Sequence, residues 1–239
     1  MKIGLGITTY NRPDFFFKTS LSALNNLTSA TKFYAYNDGS TKKYTNYPIQ
    51  FTSIFVEKEN KGVAHAKNTL LKEMMNDGMD YLFLLEDDIE PISDKAITSY
   101  IEAHKKHDIH HFNFAHHGAA NRGGYIDKYD TIEFYPNCIG AFSFYTRHCI
   151  ETVGYMDEHF HNAWEHVEHT ARIARAGLTS PFWFFADVEN SEEYLKELDP
   201  SLEKSSIRPT ADWLKNKEEG LTYWKKKDGI GLPPKLINI

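Results

Sequence analysis

The chain has 239 residues, a formal net charge of −6 and an aromatic content of 14%. This length suffices for one well-packed domain with an extension, and the acidic balance argues against a protein that binds nucleic acid over its whole surface. Cys138 and Cys149 have neither metal nor redox spacing, so we expect reduced core residues of a cytoplasmic protein. No stretch reaches the ~20 apolar residues of a membrane span, and residues 1–10 resemble a strand more than a signal peptide.

The chain opens with a strand-to-helix junction. Residues 3–7 alternate apolar side chains with glycine and predict a strand that leads into Thr8 to Pro13. Pro13 is typical of the first turn of a helix, which we expect to run to about residue 25. A second predicted strand, 32–36, ends in Asn37-Asp38-Gly39-Ser40, which taken alone is most simply an Asx turn.

A third predicted strand, 51–56, precedes a helix that carries two lysines near its start. Asn60 is a suitable N-cap, and apolar residues from Val63 onward keep helical spacing. Lys61 and Lys67 oppose the helix macrodipole at this end. A bound diphosphate would explain both lysines, and the alternative is that they are ordinary surface charges.

The most informative stretch is the apolar run 81–85, followed by Glu86, Asp87 and Asp88. The run has the length of a strand buried on both faces, so the acids lie at its carboxyl end, where open α/β sheets bind ligands. Adjacent carboxylates repel one another unless a cation is present, and oxygen ligands of this kind suit Mg²⁺ or Mn²⁺. The alternative is a solvated acidic loop.

The middle of the chain alternates further predicted elements with one loop. We expect helices at 94–107 and 147–153, and strands at 110–115, 131–135 and 139–145. The loop 116–124 begins with His116 and His117. Adjacent loop histidines are more typical of solvent or substrate contacts than of metal ligands, so the metal interpretation is the lesser alternative.

A second informative block runs from residue 159 to 172. If residues 164–176 form a helix, its apolar positions share a face that we expect to pack on the sheet: Val167, Ala171 and Ala174. Acidic, imidazole and basic side chains share another face that we expect to project outward: Glu165, His169 and Arg172. Glu168 and Arg172 have the spacing of an ion pair. Four histidines here suggest zinc, but no thiolate or fixed ligand spacing supports it.

The C-terminal part begins after a last predicted strand, 182–187, which ends in Asp187. Beyond residue 199 the composition changes to lysine, glutamate and scattered aromatics, with a predicted helix at 210–227 and an unpatterned tail at 231–239. We therefore expect a domain over 1–198 and an extension over 199–239 that packs on it or covers its cleft.

Five of these segments, in this order, resemble glycosyltransferases of the GT-A fold, most closely the large family 2 group. The matching segments are Thr8–Pro13, Asn37–Ser40, Asn60–Asn68, Glu86–Asp88 at the position of the DxD motif, and Trp164–Glu168 at a Trp-Glu-Asp segment followed by Arg172 and Gly177. The resemblance covers roughly residues 1–180. It implies an α/β fold with a Rossmann-like, mostly parallel central sheet flanked by helices, here with a helical C-terminal extension.

The resemblance also implies roles for individual residues. The nucleotide base and ribose would be held by Thr8, Tyr10, Arg12 and Asp38. The pyrophosphate would lie near Lys61, Gly62 and Lys67. Glu86 would face ribose or sugar with Asp87 beside it, and Asp88 would ligate a Mn²⁺ or Mg²⁺ ion that bridges the phosphates of a nucleotide-sugar, expected to be a UDP-sugar.

Three positions depart from the family pattern. His166 stands where the family has its catalytic aspartate, whereas Glu165 keeps the preceding acid, so either residue is a candidate base. Glu86 replaces a more usual aspartate. No histidine follows His169, so Asp187, His169 or water would have to complete the metal site.

The sequence thus predicts a metal-dependent glycosyltransferase that moves a sugar to an acceptor hydroxyl with inversion. The acceptor is open among a glycan, a protein, a lipid-linked molecule and a modified base, the only role foreseen for nucleic acid. We expect the loop 116–124 and the aromatic tail to select it. The alternatives are a catalytically silent nucleotide-sugar-binding protein and a nucleotidyltransferase, although the glycine-rich opening loop of the latter is absent. A glycosidase fits less well. Glycoside hydrolysis uses two separate carboxylates and no metal, so it would leave the run of three adjacent acids unexplained.

Overall fold

The computed structural model of the protein describes residues 1–118, 121, 123–180, 184–201 and 203–228. The predicted tail 231–239, and parts of the predicted loop 116–124 and strand 182–187, lie outside these residues. Within the described ranges, no helix combines the length and the hydropathy of a membrane span.

The strands in the described part of the chain are β1 (Ile3–Thr9), β2 (Lys32–Asn37), β3 (Phe51–Val56), β4 (Tyr81–Glu86), β5 (Ile89–Pro91), β6 (His111–Asn113), β7 (Asp127–Tyr129), β8 (Ile132–Tyr135), β9 (Phe142–Thr146), β10 (Phe185–Val188) and β11 (Leu195–Glu197). The α-helices there are α1 (Pro13–Asn26), α2 (Val63–Asn76), α3 (Lys95–His107), α4 (Arg147–Val153), α5 (Glu165–Arg175) and α6 (Ala211–Asp228). Most predicted elements are present within one or two residues of their predicted ends.

The central sheet has six strands in the order β3-β2-β1-β4-β9-β6. The first four are parallel to one another, and β9 runs antiparallel to both of its neighbours. Two smaller antiparallel sheets, β10-β8-β7 and β11-β5, flank it. The predicted α/β class with a mostly parallel sheet is therefore confirmed.

Side chains of β4 alternate between two hydrophobic cores, so this strand is buried on both faces as predicted. Phe83 and Leu85 pack with residues of α1 and α3, whereas Leu82 and Leu84 pack with residues of α2, α4 and α5. Each such side chain removed from water contributes about 1.5–3 kcal/mol. The two cores pack helices against both faces of the sheet, so the ends of its strands are held in defined positions.

The strand register brings three polar junctions to one edge of the sheet. Thr8 pairs with Glu86 and Thr9 pairs with Asn37, so β1, β2 and β4 end side by side. The β5–β11 ribbon continues directly from β4 and places Glu197 opposite Ile89. The acidic segment after β4 therefore lies between the end of β1 and this ribbon.

Helix α5 is oriented differently from the prediction. Glu165, Glu168 and His169 are buried, so the expectation that this face projects outward is wrong. Val167 instead packs in a separate apolar cluster with Trp224 of α6. The cause is α6, which covers the outer side of α5 and leaves its charged side facing the domain. The predicted Glu168–Arg172 pair is present, with 2.8 Å between Oε1 and Nε.

Two local predictions also need correction. Helix α2 begins at Val63 with Gly62 as its N-cap, and Asn60 does not cap it. Strand β10 continues to Val188 in the small antiparallel sheet, so Asp187 lies within the strand and does not end it. Neither change was visible in the apolar pattern, because both depend on contacts with distant segments.

Candidate active site

The acidic segment at the end of β4 is held by two basic side chains. The Arg12 guanidinium pairs with Asp87 and lies 2.8 Å from Asp88 Oδ2. The Lys67 ammonium lies 2.8 Å from Glu86 Oε1. Burial disfavours these cations, but the facing carboxylates outweigh it and raise the pKa of Arg12 and of Lys67. The segment is therefore an organised charge cluster and not a solvated loop.

Asp87 is the most enclosed of the three acids. It is fully buried, and the Thr9 hydroxyl donates to its Oδ2 at 2.5 Å. Burial raises the pKa of Asp87, the Arg12 charge lowers it, and the Asp88 charge raises it again, with a net increase. Asp87 thus anchors Arg12 and β1 beneath the cleft.

Asp88 has one oxygen to spare. Its Oδ1 is buried and accepts no hydrogen bond from the residues that the structure describes, whereas Oδ2 accepts one from Arg12. Such an orphaned carboxylate oxygen is a suitable hard donor for a divalent cation. The positive charges of Arg12 and Lys67 also balance only two of the four carboxylates that they contact. Arg12 pairs with Asp87 and Asp88, and Lys67 pairs with Glu86 and Glu165. The residues present therefore fit a divalent ion.

His117 lies beside this acid. Its Nε2 is 3.8 Å from Asp88 Oδ2, and its Nδ1 is 2.7 Å from Glu197 Oε1. Burial alone lowers the pKa of His117, but Glu197 and Asp88 outweigh it and the pKa is raised. Among the described residues, no group of three or more His, Cys, Asp or Glu side chains has the geometry of a metal site. Substrate oxygens or water would have to complete any coordination here.

The two candidate bases lie together at the start of α5. Glu165 Oε1 is 3.2 Å from Lys67 Nζ and 3.1 Å from His166 Nδ1. Burial alone raises the pKa of Glu165, but Lys67 and His166 outweigh it and lower the pKa to about 2. Glu165 is therefore ionised at neutral pH.

His166 contacts an acceptor through each ring nitrogen. Nδ1 faces the Glu165 carboxylate, and Nε2 is 3.0 Å from the carbonyl oxygen of Cys138. Both contacts are hydrogen bonds only when both nitrogens carry a proton, which is the imidazolium form. In that form His166 has no lone pair with which to accept a proton.

Two backbone features hold this pair in position. Gly140 has φ 80°, and a Cβ there would lie 2.5 Å from Cγ of His166, so the imidazole packs directly on the glycine. Trp164 precedes α5 with φ 75°, a left-handed conformation that costs roughly 1–2 kcal/mol for a residue of this kind. Strain of this kind is more frequent at functional sites than elsewhere.

Two openings that share some of their lining residues lie along the sheet edge. The larger has a volume of about 240 Å³, and its walls include Glu86, Asp88, His117, Glu165 and His166. Segment 205–208 and two α6 side chains, Trp213 and Lys217, close its outer side. Asp88 and the candidate bases therefore face one cavity.

The smaller opening has a volume of only about 50 Å³. Four residues predicted to hold the nucleotide line it: Thr8, Tyr10, Arg12 and Asp38. Ser206 and Ile207 also line it, and the Ser206 hydroxyl donates to the Tyr10 carbonyl at 2.8 Å. Ligand pockets usually measure roughly 300–1,000 Å³, so this opening by itself is smaller than a nucleotide site.

The residues predicted to lie near the pyrophosphate do not all reach the site. Lys67 pairs with Glu86 there, whereas Lys61 lies outside it. Asp38 accepts hydrogen bonds from the amides of Lys61 and Gly62, and the His161 carbonyl accepts from Val63. These amides at the start of α2 are thus occupied by the protein itself. The Lys61 side chain pairs with Glu57 at 2.9 Å and lines neither opening, so its assignment remains a prediction.

The residues suggested to complete the metal site lie elsewhere. Asp187 accepts hydrogen bonds from Tyr100, Ala115 and Ser191, and His169 Nε2 contacts the Gly154 carbonyl. Neither residue lines the cavity. His117, which the sequence analysis named only in the lesser, metal alternative for its loop, lies beside Asp88 instead. No pattern in the sequence indicated Glu197, because only the pairing of β11 with β5 brings it next to His117.

No family model matches this chain, and comparison with known sequences identifies a viral relative. A protein of Acanthamoeba polyphaga mimivirus, named as an uncharacterized glycosyltransferase, is 27% identical to this chain over 227 residues. The match covers 87% of this chain and 85% of the viral protein. The resemblance to glycosyltransferases therefore extends over most of both sequences.

Comparison with solved structures identifies the fold. The mannosyltransferase PcManGT from Pyrobaculum calidifontis, in complex with GDP-Man and Mn²⁺, matches with a TM-score of 0.56 at 13% identity, over 75% of this chain and 55% of that one. TarS from S. aureus, in complex with UDP-GlcNAc, matches with 0.54 at 14% identity, over 90% and 64%. This chain thus spans about half to two thirds of their lengths. It has the GT-A fold, and the resemblance to GT-A glycosyltransferases drawn from the sequence is confirmed.

Proposed function

We propose that the protein is a metal-dependent glycosyltransferase that moves a sugar from a nucleotide-sugar to an acceptor hydroxyl with inversion. The observation that carries this proposal is the unpaired Oδ1 of Asp88, in a residue that lines the same cavity as the ionised Glu165. The viral relative's name and the nucleotide-sugars bound by the two structural neighbours support it. Sugar transfer needs a cation at the leaving diphosphate and a base at the attacking hydroxyl, and both must lie within one cavity.

The donor side of the site would be the small opening at the end of β1. Thr8, Tyr10 and Arg12 line it with Asp38. We propose a UDP-sugar, as the resemblance to family 2 implies. The nucleoside would displace Ser206 and Ile207, and that segment would then cover the bound donor.

The chemistry is a displacement at the anomeric carbon in which the bond to the β-phosphate oxygen breaks. A divalent ion at Asp88 would neutralise the negative charge that develops on the leaving diphosphate. Arg12 and Lys67 orient Asp88 and Glu86 for this purpose, since each cation holds a carboxylate in one position. The fixed charges therefore need little rearrangement during the reaction.

The acceptor hydroxyl must lose its proton as it attacks, and we assign this proton to Glu165. Its carboxylate is ionised at neutral pH, as a base must be. A pKa near 2 makes it a weak base, so charge stabilisation at the diphosphate would supply more of the rate enhancement. His166, whose Nδ1 lies 3.1 Å from Glu165 Oε1, would position that carboxylate.

A catalytically silent nucleotide-sugar-binding protein is the second candidate. The observation in its favour is His166, which stands at the family's catalytic aspartate and has both ring nitrogens engaged. In that case the donor would bind at Asp88 and no sugar would be transferred.

The two functions differ in turnover. We would incubate the protein and Mn²⁺ with a panel of UDP- and GDP-sugars, with water or simple alcohols as acceptors, and measure release of the nucleoside diphosphate. A transferase releases it from at least one donor, and chelation of the metal stops the release. Donor binding by calorimetry without any release would instead favour the silent protein.

A further inference from the structure

His117 places an imidazole nitrogen beside Asp88, whose buried Oδ1 accepts no hydrogen bond from the described residues. Asp88 and His117 are 3% and 2% exposed, and both line the large cavity. The Nε2 atom of His117 lies 3.8 Å from Asp88 Oδ2, which is beyond hydrogen-bond distance. A buried imidazole and a buried carboxylate thus lie side by side at the cavity wall, and the Oδ1 atom of that carboxylate accepts no hydrogen bond from the described residues.

We propose that His117 is the second protein ligand of the divalent ion at Asp88 and that Glu197 holds its ring in position. The inference rests on the proposed metal dependence and adds to it a nitrogen ligand. Two ligand atoms of one octahedral ion, each at about 2.1 Å, lie roughly 3 Å apart when adjacent and roughly 4 Å apart when opposite. The observed 3.8 Å between Nε2 and Oδ2 is close to the value for opposite positions.

Glu197 supplies the outer support that metal-binding histidines commonly have. Its Oε1 lies 2.7 Å from His117 Nδ1 and also accepts from the Gly118 amide. A carboxylate on Nδ1 keeps the proton on that nitrogen, which leaves the lone pair of Nε2 for a metal. The β5–β11 ribbon places Glu197 there, next to the acidic segment.

The alternative role for His117 is purely structural. In that role a protonated imidazole would bridge Asp88 and Glu197 and would help to neutralise the cluster. The two roles make different predictions about metal choice, because Mg²⁺ keeps an all-oxygen shell, whereas a first-row transition ion such as Mn²⁺ accepts a nitrogen ligand more readily. As a ligand, His117 therefore predicts a preference for Mn²⁺, whereas a structural His117 predicts none.

The test uses Mn²⁺ alone and the full chain. Binding is measured from the loss of the free Mn²⁺ signal in electron paramagnetic resonance, and the bound ion is examined for coupling to an imidazole nitrogen by spin-echo modulation. His117→Gln should weaken binding more than about 10-fold and abolish the nitrogen coupling. Glu197→Gln should weaken binding about 10-fold and keep the coupling, as for other outer supports.

His116→Gln is the matched control. The neighbouring imidazole contacts residues outside the acidic segment 86–88. Its Nε2 lies 3.0 Å from the Tyr135 hydroxyl and 3.3 Å from Glu192. This variant should bind Mn²⁺ as the wild type does. Melting temperatures of all variants are measured in parallel, so that loss of fold is recognised.

Three outcomes would overturn the inference. The first is a wild-type Mn²⁺ complex without nitrogen coupling. The second is a folded His117→Gln variant that binds Mn²⁺ normally while Asp88→Asn does not; the metal site of the proposed function would then stand without His117. The third is wild-type protein that binds no Mn²⁺, which would contradict the proposed metal dependence as well.

Discussion

Asp88 and Asp187 have the same sequence signature and different surroundings. Each follows a run of apolar residues in a predicted buried strand. In the structure, both oxygens of Asp187 are satisfied, by Tyr100 and the Val188 amide on Oδ1 and by Ala115 and Ser191 on Oδ2. Within the described part of the chain, Asp88 receives one side-chain donor, from Arg12, and its Oδ1 receives none.

The number of donors separates a structural carboxylate from a ligand site. Asp187 ties three segments of the chain together, so its negative charge is already in use. Asp88 retains an acceptor and lines a cavity, which makes it available to a cation or a substrate. We therefore expect loss of Asp88 to impair chemistry and loss of Asp187 to impair stability.

The largest expected effect is on turnover at Asp88. Asp88→Asn keeps the shape of the side chain and removes the charge, so nucleotide-sugar turnover should fall about 1,000-fold. The free energy of unfolding should change little, because a repulsive carboxylate is lost together with one ion pair. Steady-state release of nucleoside diphosphate measures the first quantity, and urea unfolding the second. Near wild-type turnover would remove Asp88 from the mechanism.

Asp187→Asn should show the reverse pattern. The amide has one acceptor oxygen for four donors, so buried hydrogen bonds are lost and the free energy of unfolding should fall by about 3 kcal/mol. Turnover per folded molecule, assayed well below the melting temperature, should stay within a few-fold of wild type. If Asp187→Asn loses turnover as Asp88→Asn does while its stability is retained, the distinction between the two acids fails.

Glu165 and His166 at the start of α5 allow a second comparison, between a carboxylate and the imidazole beside it. Glu165→Gln should lower kcat about 100-fold and change KM little, since it removes the proposed base and leaves the donor side intact. His166→Asn should lower kcat less, because it only frees the Glu165 side chain to move. A larger loss from His166→Asn than from Glu165→Gln would assign the proton transfer to His166.

The smallest expected effect is the pH dependence of stability at Asp187. Burial raises its folded pKa to about 6, from 3.8 without the fold. A raised folded pKa gives a contribution that is lost as the pH rises through 6 and recovered as it falls towards 3.8. The stability difference between wild type and Asp187→Asn should therefore be about 1 kcal/mol larger at pH 5 than at pH 7. Urea unfolding at the two pH values measures it, and an unchanged difference would contradict the assigned environment.

The sequence predicted the first half of the fold well because that half is encoded locally. Strand β4 is a continuous apolar run between helical patterns, and Pro13 marks the start of α1. The position of the acids at the sheet edge follows from such patterns and from parallel topology alone. Glu86, Asp87 and Asp88 were placed there correctly.

The second half depends on contacts between distant residues, which local patterns do not contain. Helix α5 turns its charged face inward because α6, far along the chain, covers Val167. His117 meets Asp88 only because the Gly118 amide and Glu197 hold its loop against the β5–β11 ribbon. The partners of Arg12 and Lys67 were likewise not predicted, since a basic residue in a motif does not reveal which acid it faces.

The most direct test of the account is the melting temperature of the wild type and of Asp88→Asn with UDP, with and without Mn²⁺. A ligand at about 100 times its Kd stabilises by about 2.7 kcal/mol, which corresponds to roughly 5–10 °C for a chain of this size. We predict a shift of this order for the wild type when UDP and Mn²⁺ are both present. Asp88→Asn should show little or none. No shift for the wild type with UDP, GDP or their sugars, or an equal shift in Asp88→Asn, would contradict the account.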